Sequence, residues 1–342
     1  METMPTESLE STARSLVAPG KGLLAADEST GTIERRLKSA GLASTEESRR
    51  AYRDLLFRAG GLGQFISGAI LFDETIRQNA EDGTPFVGIL RRQGIIPGIK
   101  VDRGARALAG FPGEKVTEGL DGLRGRLAEY AGLGARFTKW RAVVAIGPDL
   151  PTDACLAANA HALARFAALS QEAGLVPIVE PEVLMDGDHS IERHFAVTRE
   201  TLQRVFQALA EQRVRPEGML LKTGMVLSGR DHRTQAGSDE IAAATLRCLR
   251  ETVPPAVPGI VFLSGGQQDV PATQNLDAIN RRGPQPWTLT FSYGRALQDA
   301  ALKTWAGRPG QVDAARRALL HRARCNAAAA AGGYSAALEA AA

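Results

Sequence analysis

Short apolar runs rich in β-forming residues return eight times along the chain, at 22–27, 66–72, 95–101, 137–146, 175–182, 218–226, 259–265 and 288–294. Between them lie stretches with helical spacing, ended by Gly or broken by Pro. Ser44 with Glu47 reads as a capping box, after which Tyr52, Leu55, Leu56 and Ala59 share one helical face. A second helix is predicted from about Thr152, with Leu156, Ala160, Leu163 and Ala167 at helical spacing and Gly174 as its stop. Eight strand-then-helix units predict an α/β fold closed into a parallel TIM (β/α)8 barrel, not an open doubly wound sheet. The expectation is one domain over 1–342, with a barrel core at about 18–306 and a helical segment and tail at about 307–342. The Ala-rich stretch from Asn326 to Ala342 is read as a terminal extension.

Strands of such a barrel are buried on both faces, so an ionic side chain inside one is costly unless it is paired or used. Here Asp27 ends the first strand, Lys100 the third, and Lys222 interrupts the sixth. Lys139 and Arg141 lie in the fourth strand, and Glu180 and Glu182 end the fifth. Residues two apart on a strand share a face, so Lys139 and Arg141 point together with Trp140 opposed, and Glu180 points with Glu182. A single buried lysine is commonly half of a structural ion pair, and a lone Ser-Gly-Gly is commonly a turn. Five charged strand ends are harder to assign to structure, because barrels of this kind gather their chemistry at the C-terminal ends of strands. The phosphate quadrant, after strands seven and eight, carries Ser264-Gly265-Gly266 and Ser292-Tyr293-Gly294-Arg295. Glycines let backbone N–H groups approach a phosphate, and Arg295 offers a planar fork of donors.

Composition narrows the partners. With 44% apolar and 23% charged residues over 342 positions, the chain has material for a large core. A net charge of +3 without a dense basic run argues against nucleic acid and suits small anionic substrates. The three cysteines are scattered and form neither a disulfide framework nor a zinc pattern. No segment approaches ~18 continuous apolar residues, and the polar start lacks a secretory core. A cytoplasmic protein without a membrane partner is the expectation. Neither GxGxxG after the first strand nor GxxxxGK[ST] is found, which weakens nucleotide readings.

A lysine becomes nucleophilic when its ammonium is desolvated or crowded by another cation. Lys222, after Met219-Leu220-Leu221, has that setting, with Lys139 within reach across the barrel. A neutral amine there attacks a ketone and forms an iminium, an electron sink for cleaving the neighbouring C–C bond, while Glu180 and Asp27 carry protons. Metal-assisted cleavage would need imidazole at the site, yet His161, His189, His194, His232 and His321 fall in predicted helices or loops and read as solvent-facing. No metal and no cofactor is expected for the reaction.

These residues resemble the class I fructose-1,6-bisphosphate aldolases over about Ala18 to Tyr334. The segments that carry the likeness are LLAADESTGTI (23–33), GIKVDRG (98–104), LDGLRGRLAEY (120–130), TKWRAVVAI (138–146), PIVEPEVL (177–184), VPPAVPG (253–259), FLSGGQ (262–267) and LTFSYGRALQ (289–298). The resemblance implies reversible cleavage of fructose 1,6-bisphosphate to dihydroxyacetone phosphate and glyceraldehyde 3-phosphate, in glycolysis or gluconeogenesis, by a homotetramer. It implies Lys222 as the Schiff-base residue, Glu180 as acid and base, Asp27 as acceptor of the C4 hydroxyl proton, Lys139 beside the C2 oxygen, and Glu182 as orienter of the lysines. It also implies Ser264, Gly265 and Arg295, with Gly266 close by, at the C1 phosphate. Ser29, Thr32, Lys100 and Arg141 would meet the C6 phosphate, with Arg36 lining the same cleft. Thr223-Gly224 replaces the family's Pro-Asn, and QQDVPAT lacks its usual acidic run. Tyr334 aligns with an upstream tyrosine of the family and not with the terminal tyrosine of many relatives' longer tail, so a protonation step that is slower or uses another group is expected. The rivals are a transaldolase-like or dehydratase-like Schiff-base lyase and a catalytically idle scaffold.

Overall fold

The computed structural model describes residues 8–341. Eight parallel strands close a ring in the order β1 (Gly22–Ala26), β10 (Thr288–Tyr293), β9 (Gly259–Phe262), β8 (Leu220–Thr223), β7 (Val176–Val183), β6 (Phe137–Val144), β3 (Ile96–Lys100) and β2 (Ile66–Leu71). All eight predicted strands form, mostly one or two residues shorter than their apolar runs. The remaining two strands, β4 (Ala105–Ala107) and β5 (Lys115–Thr117), make a short antiparallel hairpin after β3. Three residues each, with no sustained alternation, left no strand signal in the sequence.

The inward face of each strand changes character along its length. Leu23, Ala25, Phe137, Ile178, Leu220 and Val261 form one apolar cluster inside the ring, joined by Leu9, Ala13, Leu16 and Val17 from the N-terminal helix Leu9–Leu16 and its cap. That helix plugs the N-terminal mouth. Two residues further along the same faces stand Asp27, Lys139, Glu180 and Lys222. The alternate face, with Leu24, Trp140, Val179, Leu221, Ile260 and Phe262, packs outward into the shell of helices. Trp140, for example, stacks on Phe166 of the helix Asp153–Glu172 with ring centroids 5.6 Å apart. Small residues make room inside the ring: a Cβ added at Gly98 would lie 2.3 Å from the Phe137 ring.

The helix expected from Thr152 forms as Asp153–Glu172, with the Thr152 hydroxyl accepting from Cys155 N. The capping box, however, is Thr45 with Ser48 and not Ser44 with Glu47. Thr45 Oγ1 accepts from Ser48 N at 3.1 Å and Ser48 Oγ accepts from Thr45 N at 2.9 Å. A second hydroxyl thus does the work expected of a carboxylate, one residue later. The Ala-rich end begins as packed helix, with Asn326, Ala327 and Ala329 buried in the helix Val312–Ala330, whereas the helix Ala336–Ala340 buries none of its residues. Asn326, wholly buried, accepts from Thr273 Oγ1 at 2.6 Å. Among the described residues, no helix is long and apolar enough to cross a membrane.

Candidate active site

At the C-terminal mouth of the ring opens a cleft of about 1290 Å³. Its lining includes Asp27, Ser29, Thr32, Arg36, Lys100, Lys139, Arg141, Glu180, Glu182, Lys222, Ser264, Gly265 and Arg295. Thirteen of the fourteen residues singled out in the sequence therefore converge. Gly266 stands behind them, where a Cβ would come 2.8 Å from Arg230 Nη2 and 3.8 Å from Arg295 Nη2. None of the five histidines lines the cleft. His189 and His194, both expected to face solvent, are instead buried and stacked on each other at 5.4 Å, and the first turn of the helix Ile191–Glu211 turns His194 into the core.

Lys222 lies at the centre. Its side chain is 4% exposed, and Nζ is 3.1 Å from Glu180 Oε1. Lys139 Nζ is 2.6 Å from Glu180 Oε2 and 2.9 Å from Asp27 Oδ2, so one carboxylate bridges two amines and one amine bridges two carboxylates. The contact to Oε2 is off the hydrogen-bond line, which leaves that buried oxygen open to a further donor. Burial lowers the pKa of Lys222 below the ordinary lysine value, Asp27 and Glu182 oppose the shift, and the Arg141 guanidinium adds to it. Burial likewise brings Lys139 down to about 8, with Asp27 opposing and Lys222 contributing. Burial alone would raise Asp27, but Lys139 and Lys222 overcome it and hold that carboxyl at about 2.

On one side of this cluster Lys100 Nζ contacts Asp102, whose other oxygen accepts from Arg141 N at 3.1 Å. Arg141 itself pairs with Glu182, so Glu182 meets the guanidinium and not an amine. Ser29 and Thr32 share a hydroxyl contact of 3.2 Å at the start of the helix Thr30–Ser39. Arg36 borders the cleft with its guanidinium committed to Glu28, to Asp299 at 2.9 Å and to Gln298 at 3.2 Å. On the other side, Ser264 precedes Gly265, whose φ of +59° suits the missing side chain. Arg295 opens the helix Arg295–Trp305, and no protein partner meets its guanidinium among the described residues. Ser292, 1% exposed, keeps a buried hydroxyl without a partner in the same wall. An orphan hydroxyl, a free guanidinium and a helix N-terminus together fit an anion.

The ring order separates Ser264 and Arg295, after β9 and β10, from Arg141 and Lys100, on β6 and β3, while Ser29, Thr32 and Arg36 follow β1, which lies between β10 and β2. Counting around the barrel from β1, β10 and β9 take the second and third places, whereas β6 and β3 take the sixth and seventh. The walls therefore face each other across the cleft, with Lys222 and Glu180 between them on β8 and β7.

Sequence reasoning missed Glu28, which holds Arg36 and, at 2.6 Å, Arg53. It follows Asp27 and so points off the inward face, where no periodicity flags it. Asp102 was also missed, although its spacing of two from Lys100 carried the signal.

A family model described as fructose-bisphosphate aldolase class-I matches residues 8–342. A relative from Xanthomonas campestris pv. campestris, named probable fructose-bisphosphate aldolase class 1, is 57% identical over 330 residues, covering 96% of this chain and 99% of the relative. The fructose-bisphosphate aldolase of Dictyostelium discoideum is 50% identical over 98% of this chain and 95% of its own. A co-crystal structure of Plasmodium falciparum fructose-bisphosphate aldolase, in complex with TRAP and a small-molecule inhibitor, superposes with a TM-score of 0.95 at 51% identity over 96% of each chain. Eight strands in this ring, an amine buried against a carboxylate at its mouth, and relatives matched nearly end to end establish that the chain belongs to the class I fructose-bisphosphate aldolases.

Proposed function

We propose that this chain cleaves fructose 1,6-bisphosphate reversibly to dihydroxyacetone phosphate and glyceraldehyde 3-phosphate through a Schiff base on Lys222. The observation that carries the reading is Lys222 Nζ, buried and 3.1 Å from Glu180, between two opposed walls that each suit a phosphate.

Neutral Lys222 adds to the ketose C2 carbonyl, and Lys139 stabilises charge on the C2 oxygen. Glu180, in reach of both amines, protonates that oxygen so that it leaves as water, and the iminium forms. Asp27, kept ionised by Lys139, takes the proton of the C4 hydroxyl as the C3–C4 bond breaks. The bond's electron pair moves into the iminium, giving an enamine, and the aldehyde product departs. Protonation at C3 and hydrolysis then release the second product and restore Lys222. Ser264, Gly265, Ser292 and Arg295 hold the C1 phosphate, while Lys100, Arg141, Ser29 and Thr32 hold the other. Glu182 acts by fixing Arg141. The single-domain organisation over 1–342, a homotetrameric assembly and a cytoplasmic place in glycolysis or gluconeogenesis complete the reading, supported by family likeness.

Borohydride reduction in the presence of fructose 1,6-bisphosphate is expected to leave a stable adduct that peptide mass spectrometry locates on Lys222. Labelling at another residue, or full activity in Lys222→Met, would defeat the proposal.

A further inference from the structure

Away from the cleft, the helix Val312–Ala330 presents His321 and Cys325 one turn apart, and the terminal helix Ala336–Ala340 brings Glu339 beside them. His321 Nε2 is 3.6 Å from Cys325 Sγ and 3.8 Å from Glu339 Oε1. All three donor atoms lie within 4.8 Å of one another.

Three observations favour a cation at their centre. The first is geometric. A tetrahedral zinc ion with Zn–S of about 2.3 Å and Zn–N of about 2.0–2.1 Å sets sulfur and nitrogen about 3.6 Å apart, and nitrogen and oxygen about 3.4 Å apart. The sulfur–nitrogen spacing already matches; the carboxylate oxygen closes by a few tenths of an ångström on the imidazole and, from within 4.8 Å, by up to about 1.2 Å on the sulfur, for which the ion sets about 3.6 Å. The second is access: Cys325 is wholly buried, while the side chains of His321 and Glu339 are 15% and 26% exposed, so an ion enters from solvent over the imidazole and carboxylate. The third is orientation, since Tyr334 donates to Glu339 Oε2 at 2.7 Å and Arg322 grips Oε1, the kind of outer contact that aims a ligand. Arg322 is itself tied to Thr273 Oγ1 at 2.6 Å and so keeps its place independently of Glu339. Its charge opposes a dication and is matched by Glu339, so the thiolate formed on capture is the added negative charge that offsets the ion.

We propose that His321, Cys325 and Glu339 form a zinc site that fastens the terminal helix to the helix Val312–Ala330. A mixed nitrogen, sulfur and oxygen set selects a borderline-soft dication over magnesium or calcium, which prefer oxygen alone. On capture Zn2+ takes the thiolate, the Cys325 proton passes to solvent, and neutral His321 gives its Nε2 lone pair. Water, or the Leu338 carbonyl oxygen 4.0 Å from Sγ, fills the fourth position. None of the three ligands lines the catalytic cleft, so the site stands apart from the Schiff-base chemistry.

The test uses the full chain stripped with EDTA, dialysed and titrated with Co2+ as a spectroscopic stand-in, then with Zn2+. One equivalent of Co2+ is expected to give a thiolate charge-transfer band that Zn2+ displaces. Zn2+ should also raise Tm without changing the cleavage rate. Cys325→Ser should abolish the band and the Tm shift. His321→Gln, at a partly exposed position, should retain the fold and lose the Tm shift, which decides the matter even if the cysteine variant fails to fold. No thiolate band in the parent, or an undiminished zinc-induced Tm shift in His321→Gln, overturns the proposal.

Discussion

Two buried amines and two buried carboxylates define the residue-scale problem. Lys222 disfavours the charge on Lys139, and the repulsion between two cations is mutual; Asp27 favours the charge on both amines and Glu180 contacts both, so the fraction of neutral Lys222 depends on the whole quartet. Removing Lys139 changes two of these influences in the same direction: a neighbouring cation disappears, and two carboxylates lose a partner and turn to Lys222. The Lys222 ammonium is then better stabilised and its pKa rises. In Lys139→Met the limb of kcat/KM that reports neutral lysine is therefore expected at higher pH than in the parent enzyme. A pH profile with that limb unmoved or shifted to lower pH would contradict the coupling.

Elements matter because each strand is divided between support and chemistry. On β6, Phe137 belongs to the apolar plug and Lys139, two residues on, to the cleft. The position of the amine thus depends on how closely neighbouring strands approach below it. Gly98 pairs directly with Phe137 across β3 and β6, with the aromatic ring where a Cβ would stand. Gly98→Ala is expected to cost about 1–3 kcal/mol through overpacking. It should also displace Lys100, two residues along β3, so KM should rise with the loss of stability. Denaturant unfolding followed by steady-state kinetics checks both, and an unchanged midpoint would show that the ring gives way more easily than its contacts suggest.

At the scale of the whole molecule, ring closure sets the distance between the two anion walls. Because β9 and β10 sit opposite β3 and β6, a substrate charged at both ends is drawn across the mouth over Lys222. Loss of a charge-assisted contact worth about 1.5–3 kcal/mol corresponds to about 10–150-fold in kcat/KM. Lys100→Met should impose a loss of that order on fructose 1,6-bisphosphate and leave fructose 1-phosphate nearly unaffected. Equal losses on both substrates would remove Lys100 from the distal wall.

Strand existence was legible from local pattern because a buried strand needs a continuous apolar run, and an ionic residue inside such a run is conspicuous. Asp27, Lys139, Glu180 and Lys222 could be chosen on that ground alone, and period two foretold that Trp140 would turn away from Lys139. Pattern could not show which carboxylate each cation would meet: Glu182 went to Arg141, Glu28 to Arg36 and Arg53, and Asp102 to Lys100. Those pairings join residues from different strands and helices, so they depend on the order and stagger of the ring. For the same reason His194 became a core residue and the start of the Ala-rich end became packed helix, since burial there is supplied by distant elements. Local sequence determined the strands and the chemistry available on them; only tertiary closure decided the partners, because ionic and packing energies depend on distances in space that the chain's own spacing does not specify.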